Sequence, residues 1–270
     1  MQKKRIEGED MILVNQLQVK DKKGNNLLNN ISLRIPMGKI IGLTGPSGAG
    51  KTTLVNTILG ILSEDLKVSS GTITIDDFDI LEKDNINSNN RNIAFIPQLP
   101  MISFDKRKKI KSQMVETYIA NLNINKSEAL SIAKDKLKSV NLEYERVLDS
   151  YPTELSGGMI QRVILAISMG LNTDYIIADE PTSALDNYNS SLFFELIKAN
   201  FKGKGILLIT HEADILKKYS DYIYVIENGC LIEKGSSEDI FESPKEEWTR
   251  KFVICSQKIL DSGGEWKWTK

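Results

Sequence analysis

Long apolar runs are missing from this 270-residue chain: none approaches the ~18 residues that a membrane span needs. The opening stretch from Met1 to Asp10 is charged and has no apolar core, which excludes a secretory signal. Cysteine is scarce. Cys230 and Cys255 form no C-x-x-C pair and lie in ordinary sequence, so neither a disulfide framework nor a metal site is indicated, and a reducing cytosol fits. Net charge is nearly absent: 35 basic against 36 acidic residues leave −1, so no global field favours nucleic acid or an anionic membrane. Partners must be recognised locally. Aromatic residues are absent before Phe78, glycine is absent from Leu99 to Tyr151, and the chain holds one histidine, His211.

What is present follows a strand and helix alternation. Ile12 to Val19 and Leu27 to Ile35 alternate as half-buried strands around a turn at Asp21 to Asn26, and Gly71 to Asp77 adds a third, so an antiparallel layer is expected beside a parallel core. Lys39 to Thr44, Asn92 to Gln98, Tyr175 to Ala178 and Gly205 to Thr210 read as short buried strands. Asn85 to Asn92 reads as a solvated loop. The glycine-free stretch 99–151 changes character. Met114, Val115, Tyr118, Ile119 and Leu122 recur at helical spacing, and Ser127 to Val140 repeats the pattern with Ser127 as its N-cap, so this is a helical insertion. Its basic run, Lys106 to Lys111, reads as a solvated face. Leu192 to Ala199 and Ala213 to Tyr219 read as helices, and a hairpin turns at Asn228-Gly229. Helical segments follow at Ser237 to Phe241 and Lys245 to Leu260, and Asp261 to Lys270 reads as a loose end.

The chemistry centres on Gly45-Pro46-Ser47-Gly48-Ala49-Gly50-Lys51-Thr52-Thr53, which sits between a strand and a helix. In that setting a G-x-x-x-x-G-K-T run is a phosphate cradle: glycines let backbone N–H groups approach, Lys51 reaches the β- and γ-phosphates, and the Thr52 hydroxyl ligates Mg²⁺. Thr53 lies one step further, towards an α-phosphate. Asp179 and Glu180 end a buried strand, where the first suits a metal shell and the second a general base acting on water. His211 ends another buried strand, placed to orient water and Glu180. Leu155-Ser156-Gly157-Gly158-Met159-Ile160-Gln161 is a second glycine-bearing turn opening a helix, again suited to phosphate.

Taken in order, the Walker A loop Gly45 to Thr52, Gln98, the signature Leu155 to Gln161, the Walker B strand with Asp179-Glu180, the D-loop Ser183-Ala184-Leu185-Asp186 and His211 resemble the ATP-binding subunit of an ABC transporter across roughly residues 12–245. The resemblance implies an α/β fold: a P-loop NTPase (RecA-like) core with an antiparallel β layer and an α-helical insertion subdomain. The core would take 1–98 and 152–245, the insertion 99–151 and a C-terminal tail 246–270. It implies ATP and Mg²⁺ as cofactors and Glu180, His211 and Gln98 as catalytic, with Gln98 also sensing the metal. Thr52, Gln98 and Asp179 would hold that metal. Nucleotide would be held between the Walker A loop of one subunit and Ser156, Gly157, Gly158 and Gln161 of another in a head-to-tail dimer, with Asp186 contacting the opposite subunit.

Tyr151-Pro152-Thr153-Glu154, Gly158 to Arg162, Ile176 to Thr182 and Ile240 to Lys245 are similar to the importer branch for oligopeptides, dipeptides and nickel. That branch implies two membrane permease subunits, a second, non-identical ATPase, an indirectly acting extracytoplasmic substrate-binding protein, no nucleic acid partner, and a peripheral place on the cytoplasmic face of the membrane. The alternatives are the ATPase of an exporter or lipoprotein-release system and a soluble, non-transport ABC ATPase. One departure stands out: the family often stacks adenine on an aromatic residue upstream of Walker A, and here none precedes Phe78.

Overall fold

The structure is a computed structural model that describes residues 10–82 and 92–262. In chain order the strands and helices are β1 (Met11–Asp21), β2 (Asn26–Pro36), β3 (Ile40–Thr44), α1 (Lys51–Leu59), β4 (Leu66–Ile75), β5 (Phe78–Asp79), β6 (Ile93–Ile96), α2 (Ile110–Leu122), α3 (Lys126–Ser139) and α4 (Tyr144–Asp149). They continue as α5 (Gly157–Leu171), β7 (Tyr175–Asp179), α6 (Asn187–Asn200), β8 (Gly205–Ile209), α7 (Ala213–Tyr219), β9 (Tyr222–Glu227), β10 (Cys230–Ser236), α8 (Ser237–Glu242) and α9 (Glu247–Ser262). The chain divides into two compact units, 1–91 with 205–270, and 92–204.

The first unit carries the expected antiparallel layer, in the order β2-β1-β4-β5. The loose alternation of β1 has a physical cause: Ile12 and Val14 are buried, then Leu17 and Val19, and the step of three is absorbed by a bulge where Gln16 takes a φ of 47°. The unit's other strands run β10-β9-β3-β8. β3 lies parallel to both neighbours, Gly42 opposite Leu208 on β8 and opposite Ile223 on β9, while β9 and β10 form an antiparallel hairpin. Residues 246–262, expected to belong to a tail, contribute α9 to this unit. Phe252 and Val253 pack with Leu216, Ile223, Ile240 and Phe241, and the Trp248 ring stacks on Phe252 with centroids 5.1 Å apart.

The second unit pairs β6 with β7 in parallel, Ile96 opposite Ala178. Around them pack α2 to α6, and α5 is central because Ile160, Val163, Leu165 and Ala166 are all buried. Tyr118 of α2 is fully buried and its hydroxyl donates to the Ala166 carbonyl at 3.0 Å. Burial alone pushes this phenol's pKa well up. Gly170, one turn on along α5, leaves the space that the ring occupies. The N-cap of α3 is Asn125 rather than Ser127: Asn125 Oδ1 accepts from the amides of Ser127 and Glu128, and Glu128 reaches back to the Asn125 amide at 3.0 Å. The basic run is spent locally, with Arg107 on Asp105, Lys108 on Glu116 and Lys109 on Asp149. The loop expected at Asn85 to Asn92 falls almost wholly outside the described residues, as does the loose end beyond Ser262.

Candidate functional site

In the first unit β3 is buried from Ile41 to Thr44 and delivers the chain into the loop. Gly45 takes a φ of 148°, and a Cβ there would fall on the Ile226 carbonyl of β9, so the loop can begin this close to the sheet only without a side chain. Lys51 folds back over the loop, its Nζ donating to the carbonyls of Gly45 at 2.7 Å and Pro46 at 2.9 Å. α1 opens with no side-chain cap on its first amides and no acid in its first turn. Its orphan N–H groups and dipole therefore meet no carboxylate of their own helix, which is the condition for receiving a phosphate. Ser47, Gly48 and Thr52 are exposed, whereas Ala49 is buried. A side brace holds the loop: the Gly229 amide of the β9–β10 turn donates to the Ala49 carbonyl at 3.0 Å, and the Gly229 carbonyl accepts from Asn29 of β2 at 2.8 Å. His211 leaves β8 just after Thr210, whose amide donates to the Leu43 carbonyl at 3.3 Å, so the imidazole starts beside the end of β3 that opens the loop.

In the second unit the parallel register brings two predicted residues together. Gln98 and Glu180 each lie two residues beyond the paired Ile96 and Ala178, and Gln98 Nε2 donates to Glu180 Oε2 at 3.0 Å. Glu180 takes a φ of 43°, left-handed for a residue with a Cβ, which costs about 1–3 kcal/mol and turns its carboxylate out of the strand's path. Ser156 is the N-cap of α5, its hydroxyl accepting from the Met159 amide at 3.3 Å, and Gly157 beside it faces open space. A Cβ on Gly158 would stand 2.9 Å from Asn189 Oδ1. That asparagine in turn donates its amide and its Nδ2 to the Asp186 carboxylate, both at 2.8 Å, and these bonds hold the Asp186 carboxyl below its ordinary range. Arg162 reaches from α5 to the carbonyls of Val140 and Asn141 at 3.4 and 3.0 Å, fixing the signature helix to the end of α3.

Gln161 is the exception. It was expected among the nucleotide contacts, but it is 2 % exposed and its side-chain amide donates to the Pro181 carbonyl, so it points into the unit and not to solvent beside Ser156. The reason is helical geometry: Gln161 lies three and four residues before the buried Ile164 and Leu165, and so shares their inward face of α5, about 140° around the helix from Ser156. The sequence reading gives Asn189 no role and places Gly229 only in a hairpin turn, not as a brace on the loop. Asp186 and Asn189 do stand at the spacing of an N-cap and its third helical residue, a signal that could have found the first.

Each unit offers oxygen donors of its own, the exposed hydroxyl of Thr52 in the first and the half-buried carboxylate of Asp179 and the side chain of Gln98 in the second. Among the described residues no group of three or more His, Cys, Asp or Glu could hold an ion. Hard oxygen donors in small number fit Mg²⁺ that keeps its waters and is bound chiefly through nucleotide phosphates.

Residues 28–183 match the family model described as ABC transporter. The chain is 30% identical over 260 residues to the oligopeptide transport ATP-binding protein AmiE of Streptococcus pneumoniae, covering 94% of this chain and 73% of AmiE. It is 37% identical to the methionine import ATP-binding protein MetN of Lactobacillus acidophilus, covering 89% of this chain and 69% of MetN. Among solved structures, the ATP-binding cassette MJ0796 in a dimeric post-hydrolysis state with ADP and Pi superposes with a TM-score of 0.71 at 27% identity, covering 84% of this chain and 98% of that one.

Proposed function

The chain belongs to the ABC transporter family as an ATP-binding, ATP-hydrolysing subunit, and we propose that it drives import of short peptides or nickel chelates through separate permease subunits. The observation that carries the catalytic reading is the Gln98–Glu180 hydrogen bond at 3.0 Å, which aims a half-buried carboxylate from the end of a buried strand. Import is supported by the length of the likeness to AmiE and MetN, which extends beyond the motifs to about nine-tenths of this chain.

In this reading Gly45 to Thr53 cradle the phosphates, and the Lys51 ammonium, which caps the Gly45 and Pro46 carbonyls, turns to the β- and γ-phosphates. Thr52, Asp179 and Gln98 would hold a Mg²⁺ ion, which would supply charge neutralisation at the phosphates. Glu180 takes the proton of the attacking water, Gln98 keeps its carboxylate in place and His211 orients the water. Ser156, Gly157 and Gly158 present the hydroxyl and amides of the α5 N-terminus to the nucleotide of a second, non-identical ATPase, and Asp186 meets that partner. The functional division is a core of 1–98 and 152–245, an insertion of 99–151 and a C-terminal segment from 246 whose α9 packs onto the first unit. The insertion is the permease contact: Leu99 and Ile102 are 54 % and 77 % exposed, and a cavity of about 430 Å³ is lined by Phe104, Lys108, Glu116 and Ile164. The protein sits on the cytoplasmic face of the membrane. No helix among the described residues is long and apolar enough to cross one.

The test is uptake of labelled nickel, a labelled short peptide and labelled methionine by cells lacking the gene, complemented with wild type or Lys51→Ala. Loss of nickel or peptide uptake restored only by wild type supports the reading. Unchanged uptake of both, with loss of methionine import or of an efflux, refutes the assigned cargo or direction and leaves the ATPase intact.

A further inference from the structure

Resting on the reading of Glu180 as general base, we propose that Gln161 is a positioning residue for hydrolysis, which fixes the Glu180 backbone from the signature helix through the Pro181 carbonyl. Glu180 needs fixing more than most residues: it holds a left-handed φ of 43° at the end of β7, a conformation that persists only where its surroundings over-determine it. Two glutamines flank it. Gln98 holds the carboxylate at 3.0 Å, and Gln161 donates to the carbonyl of the very next residue. The Ser183 amide closes the turn on the Glu180 carbonyl at 3.2 Å.

Gln161 is a costly choice for a merely structural inward position of α5. Its neighbours on that face, Ile164 and Leu165, three and four residues further on, are apolar, and an amide buried to 2 % exposure is tolerated only when it is hydrogen-bonded. Its carbonyl partner follows a catalytic residue, and its own helix carries Ser156 at the N-cap. Ser156 caps the same helix that carries Gln161 little more than one turn on, so a displacement of Ser156 is carried along the helix as a shift of Gln161. The link joins occupancy of the signature turn to the aim of the base by a covalently rigid helical turn and one hydrogen bond.

The experiment uses the full chain and measures Mg-ATP hydrolysis, binding of a fluorescent ATP analogue and thermal unfolding for wild type, Gln161→Met, Gln161→Glu, Glu180→Gln and the double variant Gln161→Met/Glu180→Gln. Met keeps the length and loses the donor. A positioning role predicts that Gln161→Met lowers kcat about 10- to 100-fold, the order expected of a misaimed group, with KM and analogue affinity within about twofold of wild type. The loss should vanish in the Glu180→Gln background, because there is no base left to aim. Gln161→Glu supplies the control against misfolding: its carboxyl can donate to Pro181 only when protonated, so its activity relative to wild type should rise as pH falls from 8 to 6. Wild-type kcat in Gln161→Met, a loss confined to KM and affinity, an undiminished loss in the Glu180→Gln background, or a flat pH ratio for Gln161→Glu overturns the proposal. Wild-type turnover in Glu180→Gln alone refutes the base assignment itself, and that result is read without reference to Gln161.

Discussion

Gly170 and Tyr118 offer the sharpest test of how the signature helix is seated. A Cβ at Gly170 would stand less than 3.0 Å from Cζ, Oη and Cε1 of Tyr118, whose ring is fully buried. Gly170→Ala gains about 1 kcal/mol of helix propensity, since glycine is a poor interior residue. Against that stands overpacking of about 1–3 kcal/mol. If the ring withdraws, the hydroxyl's bond to Ala166 is lost as well, at about 1–3 kcal/mol for a buried group. The net expectation is a destabilisation of about 0–2 kcal/mol if that bond survives and about 1–5 kcal/mol if it is lost. Removing the ring first reverses the sign: in a Tyr118→Leu background the same Gly170→Ala change should be neutral or stabilising by up to about 1 kcal/mol. Urea unfolding followed by far-UV circular dichroism gives the four corners of the cycle. A Gly170→Ala penalty equal in both backgrounds would show that the ring is not what excludes a side chain there. ATP hydrolysis by the single variant should fall too, because α5 carries Ser156 at its other end.

Two further outcomes follow from residues whose setting is clear. Phe252→Ala removes a ring that is 1 % exposed within the cluster of Leu216, Ile223 and Phe241, and should cost about 3–5 kcal/mol in the same unfolding assay, where a loose tail would show no change. Asp186 has a native pKa held below its ordinary 3.8 by the bonds from Asn189, so its charge favours the folded state above that ordinary value and the benefit is lost as pH falls through the lower native one. The difference in melting temperature between wild type and Asp186→Ala should therefore be constant from pH 7 to about pH 4 and shrink below it. A difference that grows on acidification refutes this.

The phosphate loop was legible because its residue types are demanded by backbone proximity to an anion, and the strands on either side of it were legible because buried parallel strands leave unbroken apolar runs. The hairpin at Asn228-Gly229 announced itself by turn chemistry alone. Other features left weaker marks. β4 begins at Leu66, five residues before the expected Gly71, because Lys67 and Ser70 pair with β1 while staying exposed, so this part of the strand buries nothing regular. α6 begins at Asn187 and not near Leu192, since its first turn is polar and is started by the Asp186 cap. The glutamine at 161 read as a surface residue because the phosphate-facing turn beside it is polar; only the angular step around α5 separates the two. The packing of α9 was hidden because Trp248, Phe252 and Val253 acquire meaning only once α7 and α8 supply the other half of the cluster.

The brace at Gly229 has a practical corollary for anyone labelling this protein. A two-residue hairpin tip is ordinarily where a tag, fluorophore or split point is inserted with least harm. Here the tip is bonded on one side to Ala49 and on the other to Asn29, and a side chain at Gly229 would meet the Leu27 carbonyl at 2.5 Å. Any insertion there pulls on the Gly45 to Thr53 loop through Ala49, so a probe attached at this turn would disturb the very contact it sits beside.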